Sequence, residues 1–251
     1  VWLAYSIDAN QFMVMSSSDS GATWSEPTDI SEQVRRPGMT FYVAGPGHGI
    51  QRENGTLVIP CNHHTGMRQD SVFHASHVIF SDDHGSTWQL GGSVDGSSDE
   101  CEVVETQDGS LYLAVRGQRN RSDNRYCSWS IDGGFTWSEV EGLVDIPDPH
   151  CQASIVRLTE LGEHDKNRIL FSNVSSTTRD HLTVRVSYDE CRSWTSAKVI
   201  YPGPAAYSEL AVAADMSILC FYERGVDGPY ESIRMAQFNL EWLTEGQDQL
   251  P

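Results

Sequence analysis

Apolar and polar residues alternate with a period of two along most of the chain, and no long helical repeat of apolar positions interrupts them. Gln11-Phe12-Met13-Val14-Met15, His77-Val78-Ile79-Phe80 and Leu182-Thr183-Val184-Arg185-Val186 read as strands. Gly55-Thr56 and Asp108-Gly109 are turns that feed two more, Leu57-Val58-Ile59-Pro60 and Leu111 to Arg116. Asn167 to Ser172 and Met216 to Tyr222 repeat the theme, and Val1 to Ser6 resembles a β unit already under way. The helix-like pieces are short, such as Leu240-Glu241-Trp242-Leu243, and the polar tail from Thr244 to Pro251 is expected to fray. With no linker or low-complexity tract, residues 1–251 read as one all-β domain.

One pattern, Ser-x-Asp-x-Gly-x-(Thr/Ser)-Trp, occurs four times, starting at Ser17, Ser81, Ser130 and Ser187. Repetition at this period indicates a radial array of similar β units, with one box in each. Asp caps the amides that follow it, Gly supplies a positive φ, and Trp packs under the turn. Each box is therefore a hairpin turn with a structural role, expected on the outer rim and away from any pocket. The fourth box carries Cys191 where the others carry Gly, which predicts a strained or differently shaped turn.

Composition narrows the partners. The net charge of −18 argues against nucleic acid and anionic membrane surfaces, and no stretch approaches a transmembrane segment. Small anionic ligands stay open, because local arginines can hold them. The six cysteines are scattered without a Cys-x-x-Cys pair, so no structural zinc site is expected; no cofactor is expected either. Sequons at Asn54, Asn120 and Asn173 would matter only in a eukaryotic secretory compartment, and localisation is left open.

Candidate chemistry is concentrated in four places. Asp99-Glu100-Cys101-Glu102-Val103-Val104-Glu105 puts acids on a strand, with Glu100 and Glu102 on one face and Glu105 on the other. Spacing alone favours a solvated strand end over a general base. Arg116 ends an apolar strand and Arg179 opens one; each alone reads as a surface arginine, but together they could clamp a carboxylate. Tyr207 follows Gly203-Pro204-Ala205-Ala206 and either packs or projects into a cavity.

Taken together these residues resemble the sialidase (neuraminidase) family. The resemblance rests on the four boxes, the Glu100 to Glu105 segment, Arg116, Arg179 and Ala206-Tyr207-Ser208-Glu209-Leu210 in that order, and Gly45-Pro46-Gly47-His48-Gly49-Ile50. It runs from about Phe12 to Trp242. It implies a six-bladed β-propeller, here incomplete at its N-terminus with about four to five blades, and a retaining exo-α-sialidase acting on sialylated glycoproteins, gangliosides and oligosaccharides. By the same resemblance Tyr207 is the nucleophile, Glu100 its activating base, and Arg116 and Arg179 two of three arginines that grip the sugar carboxylate. Asn62 and His64 fall where relatives contact the N-acyl and glycerol groups.

The chain departs from that pattern in one respect. The family's Arg-Ile-Pro segment and the acid/base Asp that follows it do not occur in these residues. The expectation is an N-terminally truncated propeller of weak or no activity. The alternatives are a non-catalytic Asp-box propeller that binds sialylated glycans, and an interaction propeller without a site.

Overall fold

The computed structural model describes residues 1–66, 73–94, 97–118 and 122–251. The first sheet holds β1 (Trp2–Ile7), β2 (Gln11–Ser16) and β3 (Thr28–Asp29), and a single helical turn, α1 (Ser31–Val34), follows it. The second holds β4 (Met39–Ala44), β5 (Ile50–Gln51), β6 (Leu57–Thr65), β7 (Phe73–Ser81) and β8 (Gln89–Val94). The third runs β9 (Ser98–Glu105), β10 (Leu111–Gly117), β11 (Asn124–Ser130) and β12 (Glu141–Pro147). The fourth runs β13 (Ser154–Thr159), β14 (Arg168–Val174), β15 (Asp180–Ser187), β16 (Thr195–Val212), β17 (Ile218–Arg224) and β18 (Ser232–Phe238), before a last turn, α2 (Leu240–Leu243). All named pairings are antiparallel between chain neighbours, apart from β4 with β6, where the short β5 intervenes. The result is a propeller-like array of four sheets, the last of double width.

The period-two pattern is what lets the sheets stack. On β9 and β10, Val103, Leu111 and Leu113 face the second sheet and pack with Val58, Val78 and Phe80. The alternate residues Val104, Tyr112 and Ala114 face the fourth sheet and pack with Ile155, Ile169 and Phe171. Each Val, Leu, Ile or Phe among them contributes about 1.5–3 kcal/mol on full burial. Phe12 and Val14 join Tyr42, Ile79 and Trp88 between the first two sheets.

The boxes lie in the turns β2–β3, β7–β8, β11–β12 and β15–β16. Within the third sheet that turn joins the two strands farthest from β9, which is the rim expected. In the third box, Gly134 N–H donates to Ser130 Oγ (2.8 Å), Thr136 N–H to Asp132 Oδ1 (2.9 Å) and Thr136 Oγ1–H to Asp132 Oδ2 (2.6 Å). The fourth box reproduces this: Cys191 N–H donates to Ser187 Oγ at 2.9 Å, and Ser193 N–H to Asp189 Oδ1 at 2.8 Å. The different shape expected there is not seen. The strain is, because Cys191 sits at φ +66°. Its side chain is buried in the cluster that holds Tyr112 and Trp194. Trp24 departs from the box rule by being exposed.

The frayed tail is corrected. Asp248 and Thr244 are buried, and Leu250 packs on the core of the fourth sheet. Arg168 explains why: it is fully buried and bonds both Asp248 oxygens, Nε to Oδ2 at 2.7 Å and Nη2 to Oδ1 at 2.9 Å. Of the sequons, Asn173 is buried with its amide donating to Pro147 O and Val174 O, so the folded chain cannot present it. Asn120 lies outside the described residues.

Candidate active site

Glu100, Arg116, Arg179 and Tyr207 come from separate parts of the chain and meet in one side-chain cluster. Glu100 is on β9 and Arg116 near the end of β10; Arg179 precedes β15, and Tyr207 lies in the second half of β16. The antiparallel β9–β10 pairing places Arg116 beside Glu100, and Arg116 Nη1 donates to Glu100 Oε2 at 2.6 Å. The Tyr207 hydroxyl donates to Glu100 Oε1. It accepts in turn from Arg116 Nη1 at 3.1 Å. The Arg179 guanidinium lies over the Tyr207 ring, 5.7 Å from its centroid. It is held by bonds from Nη1 to the Tyr230 hydroxyl (2.5 Å) and from Nη2 to His150 O (3.2 Å). The reading of Glu100 and Glu102 as a solvated strand end is therefore corrected: Glu102 is completely buried and Glu100 mostly so.

The electrostatics follow from these contacts. Burial pushes the Tyr207 phenol above its ordinary value, and the neighbouring Glu100 carboxylate pushes it further, while Arg116 pulls it down. Near neutral pH the hydroxyl therefore keeps its proton, directed at a carboxylate. Burial would weaken the charge of Arg116, but Glu100, with Asp99 and Tyr207, more than offsets this and fixes it as a cation. Among the described residues Arg116 Nε is buried without a hydrogen-bond acceptor, with Asp99 Oδ2 at 3.9 Å.

Asn62 and His64, both on β6, adjoin this cluster rather than enter it. Asn62 is buried and donates from Nδ2 to Asp99 Oδ1 at 2.7 Å, which leaves its own Oδ1 without a partner among the described residues. His64 stacks on Phe41, with ring centroids 4.4 Å apart, and lies 3.9 Å from the His74 ring. Burial and His74 lower its basicity, and Asp99 opposes them.

The sequence reading missed several residues that shape the cleft. Asp99 also accepts from Gln118 Nε2 and so links β9 to the end of β10. Glu223 accepts from Tyr207 N–H at 3.1 Å and anchors the tyrosine's backbone to β17. His48 contacts Glu209 at 2.6 Å. The period-two rule applied from Tyr207 points to Glu209, and the glycines flanking His48 mark that loop; Asp99 and Glu223 carry no comparable signal.

These features define an Asp-box β-propeller with a tyrosine–glutamate pair and two arginines in its cleft. The BNR repeat-like domain profile matches residues 2–220, and the chain belongs to that family. Its relatives are sialidases. It is 35% identical over 241 residues to a sialidase of Micromonospora viridifaciens, across 92% of this chain and 35% of that protein. A Bacteroides fragilis sialidase is 32% identical over 191 residues, covering 74% of this chain and 34% of its own length. Among solved structures, the Hadza microbial sialidase Hz136 superposes with a TM-score of 0.81 at 31% identity, over 92% of this chain and 44% of that one. The chain thus spans about a third of the length of the first curated relatives it matches.

Proposed function

We propose that the cleft is the catalytic centre of a retaining exo-α-sialidase, with terminal sialic acid of glycoconjugates as substrate. The observation that carries this is the Tyr207–Glu100–Arg116 arrangement, in which a neutral phenol donates to a carboxylate while a guanidinium donates to the phenol oxygen. The anomeric carbon of sialic acid bears a carboxylate, so an anionic nucleophile would be repelled, and a phenol that loses its proton only as it attacks avoids the repulsion. In the first step Tyr207 Oη bonds to the anomeric carbon, its proton passes to Glu100 Oε1, and the glycosidic C–O bond breaks, with the leaving oxygen taking a proton from solvent. Arg116 stabilises the charge that develops on the phenol oxygen. In the second step water adds to the anomeric carbon and gives up one proton to solvent, the Tyr207–carbon bond breaks, and Glu100 returns its proton to Tyr207, which gives net retention. Arg116 and Arg179 grip the substrate carboxylate, and Asn62 and His64 border the sugar's substituents.

A second reading is a propeller that binds sialylated glycans through Arg116 and Arg179 without turning them over. Hydrolysis of an activated aryl α-sialoside, which needs little protonation of its leaving group, separates the two. The catalytic reading expects slow turnover with retained configuration by proton NMR, and a Tyr207→Phe variant slowed at least about 100-fold while still binding sialic acid. Equal turnover by wild type and Tyr207→Phe would rule the nucleophile out. Saturable binding with no turnover by either would establish the binder.

A further inference from the structure

We propose that His48, Glu102 and Glu209 form a binding site for a divalent cation of the zinc class, one rung below the Tyr207–Glu100 pair. Glu102 lies two residues beyond Glu100 on β9, and Glu209 two beyond Tyr207 on β16. Two residues along a strand restore the same face about 7 Å further on, so the lower pair of carboxylates repeats the upper pair. His48 enters from the loop before β5. Its Nδ1 stands 2.6 Å from Glu209 Oε1 and 3.7 Å from Glu102 Oε2. The three donor atoms all fall within 4.8 Å of one another.

One imidazole and two carboxylates are a donor set suited to zinc. Bonds of about 2.0–2.2 Å in a tetrahedral shell put neighbouring donors roughly 3.4 Å apart, and the two distances from His48 bracket that value. Charge points the same way. Among the described residues, the ion pairs of Glu102 and Glu209 are both with His48, and neither carboxylate meets an arginine or lysine. A fully buried carboxylate beside a second one is costly without a cation or a proton, and one imidazole carries at most one positive charge. Glu102 is held in place by Ile155 N–H at 2.8 Å and Gln152 Nε2 at 3.3 Å, the kind of outer support that orients a ligand.

The loop is shaped around this carboxylate. Gly47 sits at φ +124°, and a Cβ there would come within 1.9 Å of Glu102 Oε1, so only glycine lets the backbone cross Glu102 and deliver His48. His48 also lines two cavities of about 430 and 530 Å³, and Glu209 lines a third of about 140 Å³. Sequence reading found no such site because the three donors lie far apart along the chain.

The test is titration of the chelator-treated protein with Zn²⁺ by calorimetry and thermal melting, with Ca²⁺ and Mg²⁺ as comparison ions. One equivalent should bind with a Kd of about 10 μM or tighter, and the two harder ions at least 100-fold more weakly. His48→Gln and Glu209→Gln, both at partly exposed positions, should fold and each weaken Zn²⁺ binding at least tenfold; X-ray absorption should show one imidazole in a shell otherwise of oxygen. Wild-type affinity retained in both variants would mean adventitious binding at other histidines and would overturn the proposal. So would a Kd above 1 mM together with a higher melting temperature for Glu102→Gln, which would show that the two carboxyls share a proton instead.

Discussion

Replacing Asp248 by Asn tests whether the C-terminal tail is a structural element. Arg168 is wholly buried and holds Asp248 through two bonds, Nε–Oδ2 at 2.7 Å and Nη2–Oδ1 at 2.9 Å. Removing one partner of a buried ion pair costs about 3–5 kcal/mol, because the other charge stays behind uncompensated. Arg168 keeps Asp165, at 2.8 and 3.1 Å, but that carboxylate is 45% exposed and only partly replaces the lost one. The lower end, about 3 kcal/mol, is therefore expected, which for a domain of this size lowers Tm by about 6–12 °C. The double variant Arg168→Met/Asp248→Leu removes both charges and should lose less than Asp248→Asn alone. Burial would raise the pKa of Asp248, but bonds from Arg168, Lys166 and Tyr188 outweigh it and hold the carboxyl well below the usual range. The stability this gives is present above about pH 3.9, the ordinary value, and drains away as pH falls further. Calorimetric melting of the three proteins from pH 3 to 7 is the assay. A loss below about 2 °C for Asp248→Asn at pH 7, or a double variant weaker than the single, would refute the reasoning.

Three further outcomes are expected. His77 is buried against His63 and bonds Tyr42 Oη at 2.8 Å; burial, then His63, lowers its basicity. The unfolded chain therefore takes up the proton first, stability falls by up to about 1.4 kcal/mol per pH unit below about pH 6.5, and His77→Asn should flatten that slope in denaturant titrations. Gly47→Ala forces a Cβ to within 1.9 Å of Glu102 Oε1 at φ +124°, and should cost more than about 2 kcal/mol by the same titrations. Cys191→Gly relieves a positive φ but removes a buried side chain; at about 1–2 kcal/mol each these nearly cancel, so Tm should move little.

Much of the array was legible because alternation and turn chemistry are local properties. Gln11 to Met15, Leu111 to Arg116 and Leu182 to Val186 are strands where the pattern put them, and the boxes at Ser17, Ser81, Ser130 and Ser187 are the turns their residues dictate. Glu105 turns away from Glu100 and Glu102, as period two requires, and pairs with Arg52 at 2.9 Å. What stayed hidden depends on partners distant in sequence. The polar tail reads as mobile until Arg168 is seen to need Asp248. Glu100 reads as a solvated acid until Arg116 and Tyr207 are brought across from other strands. Single arginines read as surface residues because the pattern around Arg116 or Arg179 carries no information about what lies opposite.

β16 is more than one strand of a ladder. Its first part pairs with β15 through Thr195 to Pro204, and its second with β17 through Ala205 to Val212, so one unbroken segment serves two ladders. Tyr207 lies just past the changeover, where Ala205 N–H still bonds Arg179 O at 2.9 Å and Gly225 N–H bonds Pro204 O at 3.0 Å. A repeat array is usually free to gain, lose or loosen one unit at a time, because neighbours meet only through side chains. Here the covalent backbone is the joint, with no slack loop to absorb a shift. The two halves must breathe as one body, and any insertion or slip at this seam would carry the tyrosine out of reach of its glutamate.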